Sequence, residues 1–121
     1  MSTKRGAVAE SILITRALER GRDVLVPVRG LSPAYDCVIR GVDGQFYKVQ
    51  TKRAHVRVRG DSRTLRVNIT GSNGEPYSSN EVDAIAIVDV DTRRVWFVPV
   101  SALAGQKTVA LTSGKWDQWL L

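Results

Sequence analysis

The stretch that decides the fold runs from residue 35 to residue 52 and reads Tyr-Asp-Cys-Val-Ile-Arg-Gly-Val-Asp-Gly-Gln-Phe-Tyr-Lys-Val-Gln-Thr-Lys. Its two halves, Tyr35–Arg40 and Phe46–Thr51, are rich in the β-branched and aromatic residues that favour strands. Between them lies Asp43-Gly44, a dipeptide typical of tight hairpin turns because both residues tolerate positive φ angles. The pattern therefore predicts two antiparallel strands lying side by side.

Polar side chains stand at the far end of this predicted hairpin. A two-residue turn at Asp43-Gly44 would set Thr51 opposite Asp36, with Gln50 and Lys52 on either side of Thr51. Because side chains alternate between the faces of a strand, Gln50 and Lys52 share one face. The hairpin thus predicts that a carboxylate, an amide oxygen and an ammonium group converge. An alternative, that Asp36 stands at the entrance of its strand and faces water, remains open.

This combination of groups suits the hydrolysis of a phosphodiester. The Asp36 carboxylate and nearby oxygens can hold Mg²⁺, which prefers oxygen ligands and keeps several of its waters. The metal would polarise the phosphate and acidify a bound water, while Lys52 could position that water or neutralise charge on the phosphate. Gln50 brings no charge, so a second carboxylate is wanted. Glu10 is the candidate, although acids on helices more commonly face solvent.

The rest of the chain predicts the elements around the hairpin. Residues 4–20 form a predicted helix that ends at Gly21, since glycine commonly follows the last turn of a helix. Three further runs are mostly apolar and predict strands: residues 23–28, 82–90 and 95–100. This order of elements predicts one α/β domain over residues 1–121, with a central mixed sheet and one main helix packed against it.

A second hairpin, over residues 53–69, carries most of the positive charge. Val56 and Val58 alternate with arginines, which predicts one apolar and one basic face. Arginines on a ribbon can contact phosphates, and a two-stranded ribbon fits the major groove of DNA. The alternative is a solvated edge that carries charge against aggregation. The candidate DNA-binding residues are Arg53, His55, Arg57, Arg59, Arg63 and Arg66.

The amino-acid composition indicates which kind of partner and which cell compartment to expect. Lysine and arginine total 18 against 12 acidic residues, for a net charge of +6, which favours an anionic partner such as nucleic acid. The single cysteine, Cys37, excludes an internal disulfide framework. The sequence contains neither an apolar run of membrane-spanning length nor the apolar stretch of a signal peptide. We therefore expect an intracellular, cytoplasmic protein.

The two halves of the first hairpin also resemble a known active-site motif. Pro33-Ala-Tyr-Asp36-Cys-Val-Ile, followed by Tyr47-Lys-Val-Gln50-Thr-Lys52, is similar to the motif of the PD-(D/E)XK nuclease superfamily. More narrowly, it resembles the homing endonucleases of this type carried in group I introns, in which glutamine also occupies the usual acidic position. Gly6-Ala-Val-Ala-Glu10 resembles the helix that leads into the motif. Residues 77–88 and 95–100 resemble the strands that follow it, so the resemblance spans residues 4–103.

The resemblance implies roles for individual residues. Asp36 would be a metal ligand, Lys52 the catalytic lysine, and Gln50 the occupant of the second acidic position. Glu10 matches the helix acid, and the backbone carbonyl of Thr51 would also bind the metal. The implied activity is a Mg²⁺-dependent endonuclease, with Mn²⁺ as a substitute ion, acting on double-stranded DNA. Cutting both strands needs two sites, so we expect a homodimer or a homotetramer.

Alternatives from other functional classes stay open at this point. A structure-specific nuclease, such as a resolvase of four-way DNA junctions, uses the same catalytic parts. A non-catalytic DNA-binding protein on a decayed nuclease fold is compatible with the neutral side chain of Gln50. An RNA-binding module is the weakest alternative, because the aromatic residues do not form the expected exposed stacking platform.

Overall fold

The computed structural model describes residues 4–28 and 34–121 of the chain. Helix α1 covers Lys4–Glu19, and just beyond it Gly21 has a positive φ of 73°. This left-handed conformation is readily adopted by glycine and commonly follows a helix. One face of α1 is buried at helical spacing through Ala9, Ile12, Leu13 and Ala17. The helix predicted over residues 4–20 is therefore present.

The strands form two separate sheets. In chain order they are β1 Val24–Leu25, β2 Cys37–Arg40, β3 Phe46–Arg53, β4 His55–Arg59, β5 Ser62–Asn68, β6 Ala84–Asp89, β7 Arg94–Pro99 and β8 Thr108–Ala110. The main sheet has the order β1-β2-β3-β6-β7, and the smaller sheet has the order β4-β5-β8. Within the main sheet β3 and β6 are parallel, whereas the other neighbours are antiparallel. This confirms the predicted α/β class with a mixed sheet.

Two apolar clusters cover the two faces of the main sheet. On one face α1 packs against Cys37, Val49, Val88 and other buried residues. On the other face Ile85, Ile87 and Trp96 pack against residues of the smaller sheet and the C-terminal segment. That second cluster includes residues from the short helix α2, Val100–Leu103, and Trp116 just before a 3₁₀ turn at Asp117–Trp119. Strand β6 lies between the clusters and is buried along its whole length.

The register of the first hairpin differs by one residue from the prediction. Cys37 lies opposite Val49, which brings Asp36 level with Gln50 rather than with Thr51. The cause is the loop, which has three residues, Val42 to Gly44, closed by a hydrogen bond from Gly41 N–H to Gln45 O at 2.7 Å. Gly44 has a φ of 79°, as the last residue of such a three-residue loop requires. The predicted two-residue turn was therefore wrong.

The strand predicted over residues 23–28 is shorter and more exposed than its apolar sequence indicated. Only Val24–Leu25 pairs with β2, at the margin of the main sheet. Leu25 and Val26 are more than half exposed, and Val28 is 97% exposed. An edge strand has a partner on one side only, and Pro27 has no N–H to continue the pairing. The prediction of a buried strand was wrong here.

Among the helices within residues 4–28 and 34–121, none combines the length and the hydrophobicity that crossing a bilayer requires.

Candidate active site

Asp36 stands just before β2, where the main sheet opens beside β3. Its N–H donates to Val49 O at 2.8 Å, and its Oδ2 accepts the N–H of Thr51 at 2.7 Å. The N–H and C=O of one strand residue point toward the same neighbouring strand. The carbonyl of Thr51 therefore points toward the same open edge as the Asp36 carboxylate. Two oxygen groups are thus brought to one place by backbone geometry.

A cleft between the start of α1 and the end of β3 collects most of the predicted site residues. Its volume is about 270 Å³. It is lined by Gly6, Ala9, Glu10, Asp36, Gln50, Thr51 and Arg53, and we call it the site cleft. An adjoining cavity of about 210 Å³ shares Glu10, Asp36 and Thr51 with it. The structure therefore brings the helix acid, the strand acid and the amide of Gln50 to one cleft.

Gln50 reaches the same edge of the sheet as the Thr51 carbonyl. Its Nε2 lies 3.4 Å from Thr51 O, a long hydrogen bond. A terminal amide carries a donor and an acceptor at equivalent positions, so a half-turn about its last bond presents the oxygen there instead. Gln50 can therefore supply a neutral oxygen where the PD-(D/E)XK motif usually has a carboxylate.

Burial shapes the electrostatics of this edge. It raises the pKa of the Asp36 carboxyl, and the Thr51 N–H and the charge of Lys52 offset part of that rise. Burial together with the charges of Asp36 and Glu10 raises the pKa of the Cys37 thiol to about 12. Cys37 is therefore a neutral core residue at neutral pH. A cation bound in the site cleft would lower the pKa of Asp36 and so keep its carboxylate charged.

Thr51 contributes more than its backbone. Its side chain is buried, and Oγ1 has no hydrogen-bond partner of normal geometry within the described residues. The hydroxyl is nevertheless close enough to Asp36 to lower the pKa of that carboxyl slightly. Buried polar atoms without partners are uncommon in folded proteins and often mark a place where a ligand or water binds.

The donor set fits a hard divalent cation. Among residues 4–28 and 34–121, no group of three or more His, Cys, Asp or Glu side chains is placed to hold a metal. The site cleft instead offers two carboxylates, the Thr51 carbonyl and the Gln50 amide oxygen. Mg²⁺ is bound in this way, through one or two carboxylates and retained waters, whereas Zn²⁺ takes nitrogen and sulfur ligands. The residues present therefore suit Mg²⁺ or Mn²⁺.

The ammonium group of Lys52 is held beside β3 by two residues from outside that strand. Its Nζ donates to Thr70 O at 3.0 Å and lies 5.4 Å from the centre of the Tyr77 ring. Lys52 does not line the site cleft, yet its charge is near enough to lower the pKa of the Asp36 carboxyl. The ammonium is therefore beside the site and fixed by two contacts that sequence spacing did not indicate.

Strands β4 and β5 form the second hairpin as a ribbon that leaves the main sheet one residue after Arg53. Every residue of β4 is exposed. The ion pairs formed within the described chain do not include Arg57, Arg59, Arg63 or Arg66. Their charges are therefore available to an anionic partner.

The cross-strand register of this ribbon agrees with the predicted basic and apolar faces except at Arg63. His55 pairs with Arg66 and Arg57 with Thr64, so these side chains share one face, together with Arg59 and Ser62. Arg63 pairs with Val58 and lies on the other face. That second face is not sealed against the core either, since Val58 is 59% exposed. Alternation decides which face a side chain lies on, but burial requires another element packed over that face, so alternation in the sequence did not mean burial at Val58.

Thr70 and Tyr77 hold Lys52 by contacts that the sequence did not indicate. They flank a small hairpin closed by a bridge between Thr70 and Pro76. The signal that could have found it is Asn73-Gly74, a dipeptide typical of hairpin turns, where Gly74 has a φ of 77°. Nothing in the sequence, however, gives the position of this hairpin relative to Lys52.

Comparison with known proteins finds a family model and a solved structure to which the chain is similar. The family model described as "PD-(D/E)XK endonuclease" matches residues 1–116. The solved structure of a bacterial homing endonuclease is similar with a TM-score of 0.67 and 24% sequence identity, covering 92% of this chain and 76% of that chain. At this identity the structural likeness establishes the fold. No curated protein matches the sequence.

Proposed function

The chain belongs to the PD-(D/E)XK endonuclease family, and on that premise we propose that it is a divalent-metal-dependent enzyme that cuts double-stranded DNA at specific sites. The observation that carries this proposal is the site cleft, where Glu10, Asp36, Gln50 and Thr51 meet at the open edge of β3. Charged and neutral oxygen ligands lie together in this cleft, and the ammonium group of Lys52 lies beside them. Metal-dependent hydrolysis of a phosphodiester needs these groups.

The residues that would hold the metal are Asp36, Glu10, Gln50 and the carbonyl of Thr51. A bound Mg²⁺ supplies a Lewis acid for the phosphate oxygens and lowers the pKa of a coordinated water. The raised pKa of Asp36 means that its carboxylate is less stable in the folded chain than in water, so it gains from a cationic partner. Mn²⁺, which accepts the same oxygen ligands, would substitute.

Lys52 serves as the electrostatic partner of this metal site. Its ammonium group stabilises the negative charge that accumulates on the phosphate as the bond to the leaving oxygen breaks. Arg53, which lines the site cleft, holds the scissile phosphate by charge-assisted hydrogen bonds. His55 is exposed and outside the cleft, so we assign it to DNA contact and give it no part in proton transfer.

The ribbon of β4 and β5 supplies the duplex-binding surface. Its exposed face carries Arg57, Arg59 and Arg66, and a two-stranded ribbon has the width that the major groove accepts. Contacts of this kind provide both phosphate affinity and a means of base recognition. Site specificity of the homing type is further supported by the fold shared with a bacterial homing endonuclease. Cutting both strands requires two copies of the site, hence a homodimer or homotetramer.

The test is cleavage of supercoiled plasmid with Mg²⁺ or Mn²⁺ by the parent and by Asp36→Ala and Lys52→Ala. We expect both variants to lose cleavage by on the order of 10³-fold. Lys48→Ala is the matched control, because Lys48 lies on the same face of β3 and donates to Asn80 O at 2.9 Å, away from the cleft. A parent that never cuts, or two variants that cut normally, would contradict the proposal.

Substrate preference is tested with linear duplex, nicked and four-way junction DNA. We expect linear duplex to be cut at a small set of sites, which sequencing of the cut ends would define. Strong preference for junctions with no duplex cleavage would favour the resolvase-like alternative, in which the same catalytic residues serve a structure-specific enzyme.

A further inference from the structure

We propose that Tyr77 is a positioning residue for Lys52, acting through a small hairpin that holds the lysine ammonium beside the site cleft. This inference rests on the proposed function, since it takes Lys52 to be the catalytic lysine. Lysine has a long flexible stem and loses considerable rotamer freedom when its charge is fixed. A catalytic ammonium therefore needs groups that hold it in place, and for Lys52 two such groups come from outside β3.

Both contacts to the Lys52 ammonium come from the two ends of one hairpin. Thr70 O accepts its hydrogen bond at 3.0 Å, and the Tyr77 ring lies under it at 5.4 Å. The bridge between Thr70 and Pro76 ties these ends together. Inside the hairpin, Gly71 N–H donates to Glu75 O at 2.9 Å and Gly74 N–H to Gly71 O at 3.0 Å. We call residues 70–77 the lysine clamp.

The Thr70 end of the clamp is fixed by Asn68. Asn68 Oδ1 accepts the Thr70 N–H at 2.9 Å and the Thr70 hydroxyl at 2.7 Å. These two hydrogen bonds to one side-chain oxygen restrain the backbone on the N-terminal side of Thr70. The Gly71 N–H, which belongs to the same peptide group as the Thr70 carbonyl, donates to Glu75 O at 2.9 Å. The backbone around this carbonyl is therefore restrained on both sides, and Asn68, the last residue of β5, links it to the smaller sheet.

The Tyr77 end is fixed by packing rather than by its hydroxyl. The ring packs against the cluster that contains Ile85 and Ile87. It also lies close to the backbone at Gly71, where an added Cβ would be 3.6 Å from Tyr77 Cε1. Over the described ranges, the Tyr77 hydroxyl takes part in none of the side-chain hydrogen bonds. The face of the Tyr77 ring therefore makes the contact with the Lys52 ammonium, because the negative charge density above the ring plane attracts a cation.

Lys48 shows by contrast what the clamp adds. It lies four residues earlier on the same face of β3, and its Nζ donates to Asn80 O. Within the described chain the rings that lie under cations serve Arg40, Lys52, Arg94 and Lys115, and Lys48 is not among them. Lys48 therefore has one contact from a loop, whereas Lys52 has a carbonyl and a ring from a closed hairpin.

The kinetic test compares Tyr77→Leu with Tyr77→Phe in DNA cleavage at saturating Mg²⁺. We expect Tyr77→Leu to lower kcat about 10-fold with KM within about 2-fold, and Tyr77→Phe to stay within about 2-fold of the parent on both. Phe46→Leu is the matched control, because it removes a ring under Arg40, far from Lys52 along the sheet. In the Lys52→Ala background, Tyr77→Leu should cause no further loss of kcat.

The outcomes separate the two proposals. Normal cleavage by Lys52→Ala overturns the proposed site and this inference together. Loss of cleavage in Lys52→Ala with normal kcat in Tyr77→Leu overturns the positioning role alone, as does a Phe variant as impaired as the Leu variant. A further loss in the double variant would show that Tyr77 acts independently of Lys52.

A spectroscopic measurement serves if Tyr77→Leu does not fold. In the parent, the ring current of Tyr77 should shift the ε-methylene signals of Lys52 upfield, and these signals are identified by their absence in Lys52→Ala. Tyr77→Phe should keep the shift. Unshifted signals in the folded parent would show that no ring lies under the ammonium and would overturn the inference.

Discussion

Strands β6 and β4 lie in the same small protein and are opposites in their surroundings. Every residue of β6 is buried between the two apolar clusters, whereas every residue of β4 is exposed. Strand β6 pairs with β3 along Val49 to Arg53, the segment that presents the site cleft. Strand β4 begins two residues after β3 ends and has a partner on one side only.

The difference in burial suits the two strands to two different tasks. Holding oxygen ligands within a few tenths of an ångström requires a rigid support, and β6 provides it by flanking β3 with a packed neighbour. Under the proposed function, contacting a DNA duplex requires exposed cations outside ion pairs, and β4 carries Arg57 and Arg59 in such positions within the described chain. We therefore expect substitutions near β6 to affect chemistry or stability and substitutions on β4 to affect DNA affinity.

The largest effect is expected from Asp36→Asn, which keeps the shape and the acceptor for the Thr51 N–H but removes the charge. Cleavage should fall by on the order of 10³-fold. Burial raises the pKa of Asp36 above its ordinary value of 3.8, so the folded chain binds this proton more tightly than the unfolded chain. The stability from this group is therefore present at low pH and lost as pH rises through the raised pKa.

The same variant should consequently be more stable than the parent at neutral pH without metal, and the difference should vanish in acid. Thermal unfolding at several pH values measures this, with and without Mg²⁺, which should stabilise the parent alone. A variant less stable than the parent at neutral pH would show that the carboxylate is needed for the fold, and the assignment of Asp36 to chemistry would fail.

The next effect compares one substitution in the two strands. Val88→Ala in β6 removes fully buried methyl groups and should lower the free energy of unfolding by about 2–3 kcal/mol. Val58→Ala in β4, at a side chain that is more than half exposed, should change it by about 0.5 kcal/mol. Urea denaturation measures both. Equal losses of unfolding free energy in the two variants would contradict the distinction between β6 as a buried supporting strand and β4 as an exposed edge strand.

On the ribbon, Arg57→Ala combined with Arg59→Ala should weaken DNA binding by about 10-fold while leaving the cleavage rate of bound DNA unchanged. If each arginine contacts a phosphate, the slope of log affinity against log salt should fall by about 2. Arg63→Ala is the control on the opposite face of β5 and should have a smaller effect. Titrations at several salt concentrations decide this, and a larger effect from Arg63 would reverse the assignment of faces.

The smallest effect is expected from Gln50→Glu, which restores the charge that the PD-(D/E)XK motif usually has. The Mg²⁺ concentration for half-maximal cleavage should fall by roughly 3- to 10-fold, because a carboxylate binds the ion more strongly than an amide. Calorimetry with Mn²⁺ provides a second readout without turnover. Unchanged metal dependence in both measurements would place Gln50 outside the metal site.

Much of the fold and part of the site could be predicted from local sequence. The helix over residues 4–20, the pairing of β2 with β3 and the mixed sheet follow from periodicity and from the Asp43-Gly44 signal. The meeting of Asp36 with the end of β3 also follows, because a hairpin brings its own ends together. The one-residue error in register arose because Val42 joined the loop. Asp43-Gly44 is compatible both with a two-residue turn and with a three-residue loop that ends in glycine, so the dipeptide alone does not fix the register.

The exposure of residues was harder to predict. Val26 and Val28 have the sequence of a buried strand but lie at a sheet margin, and Val58 alternates correctly yet has no neighbour to cover it. Apolar pattern indicates which residues can be buried. Whether they are buried depends on which element packs over them, and that is decided by contacts between distant parts of the chain.

The sequence by itself determined the net charge of this protein, which follows from its composition. It also determined that Asp36 meets Gln50 and Thr51, because these residues belong to one hairpin. The tertiary structure alone decided the placement of Glu10 in the cleft and of Lys52 between Thr70 and Tyr77. These contacts join segments separated by eighteen or more residues, and no local propensity specifies them. They arise when α1 and the lysine clamp pack against opposite faces of one buried sheet.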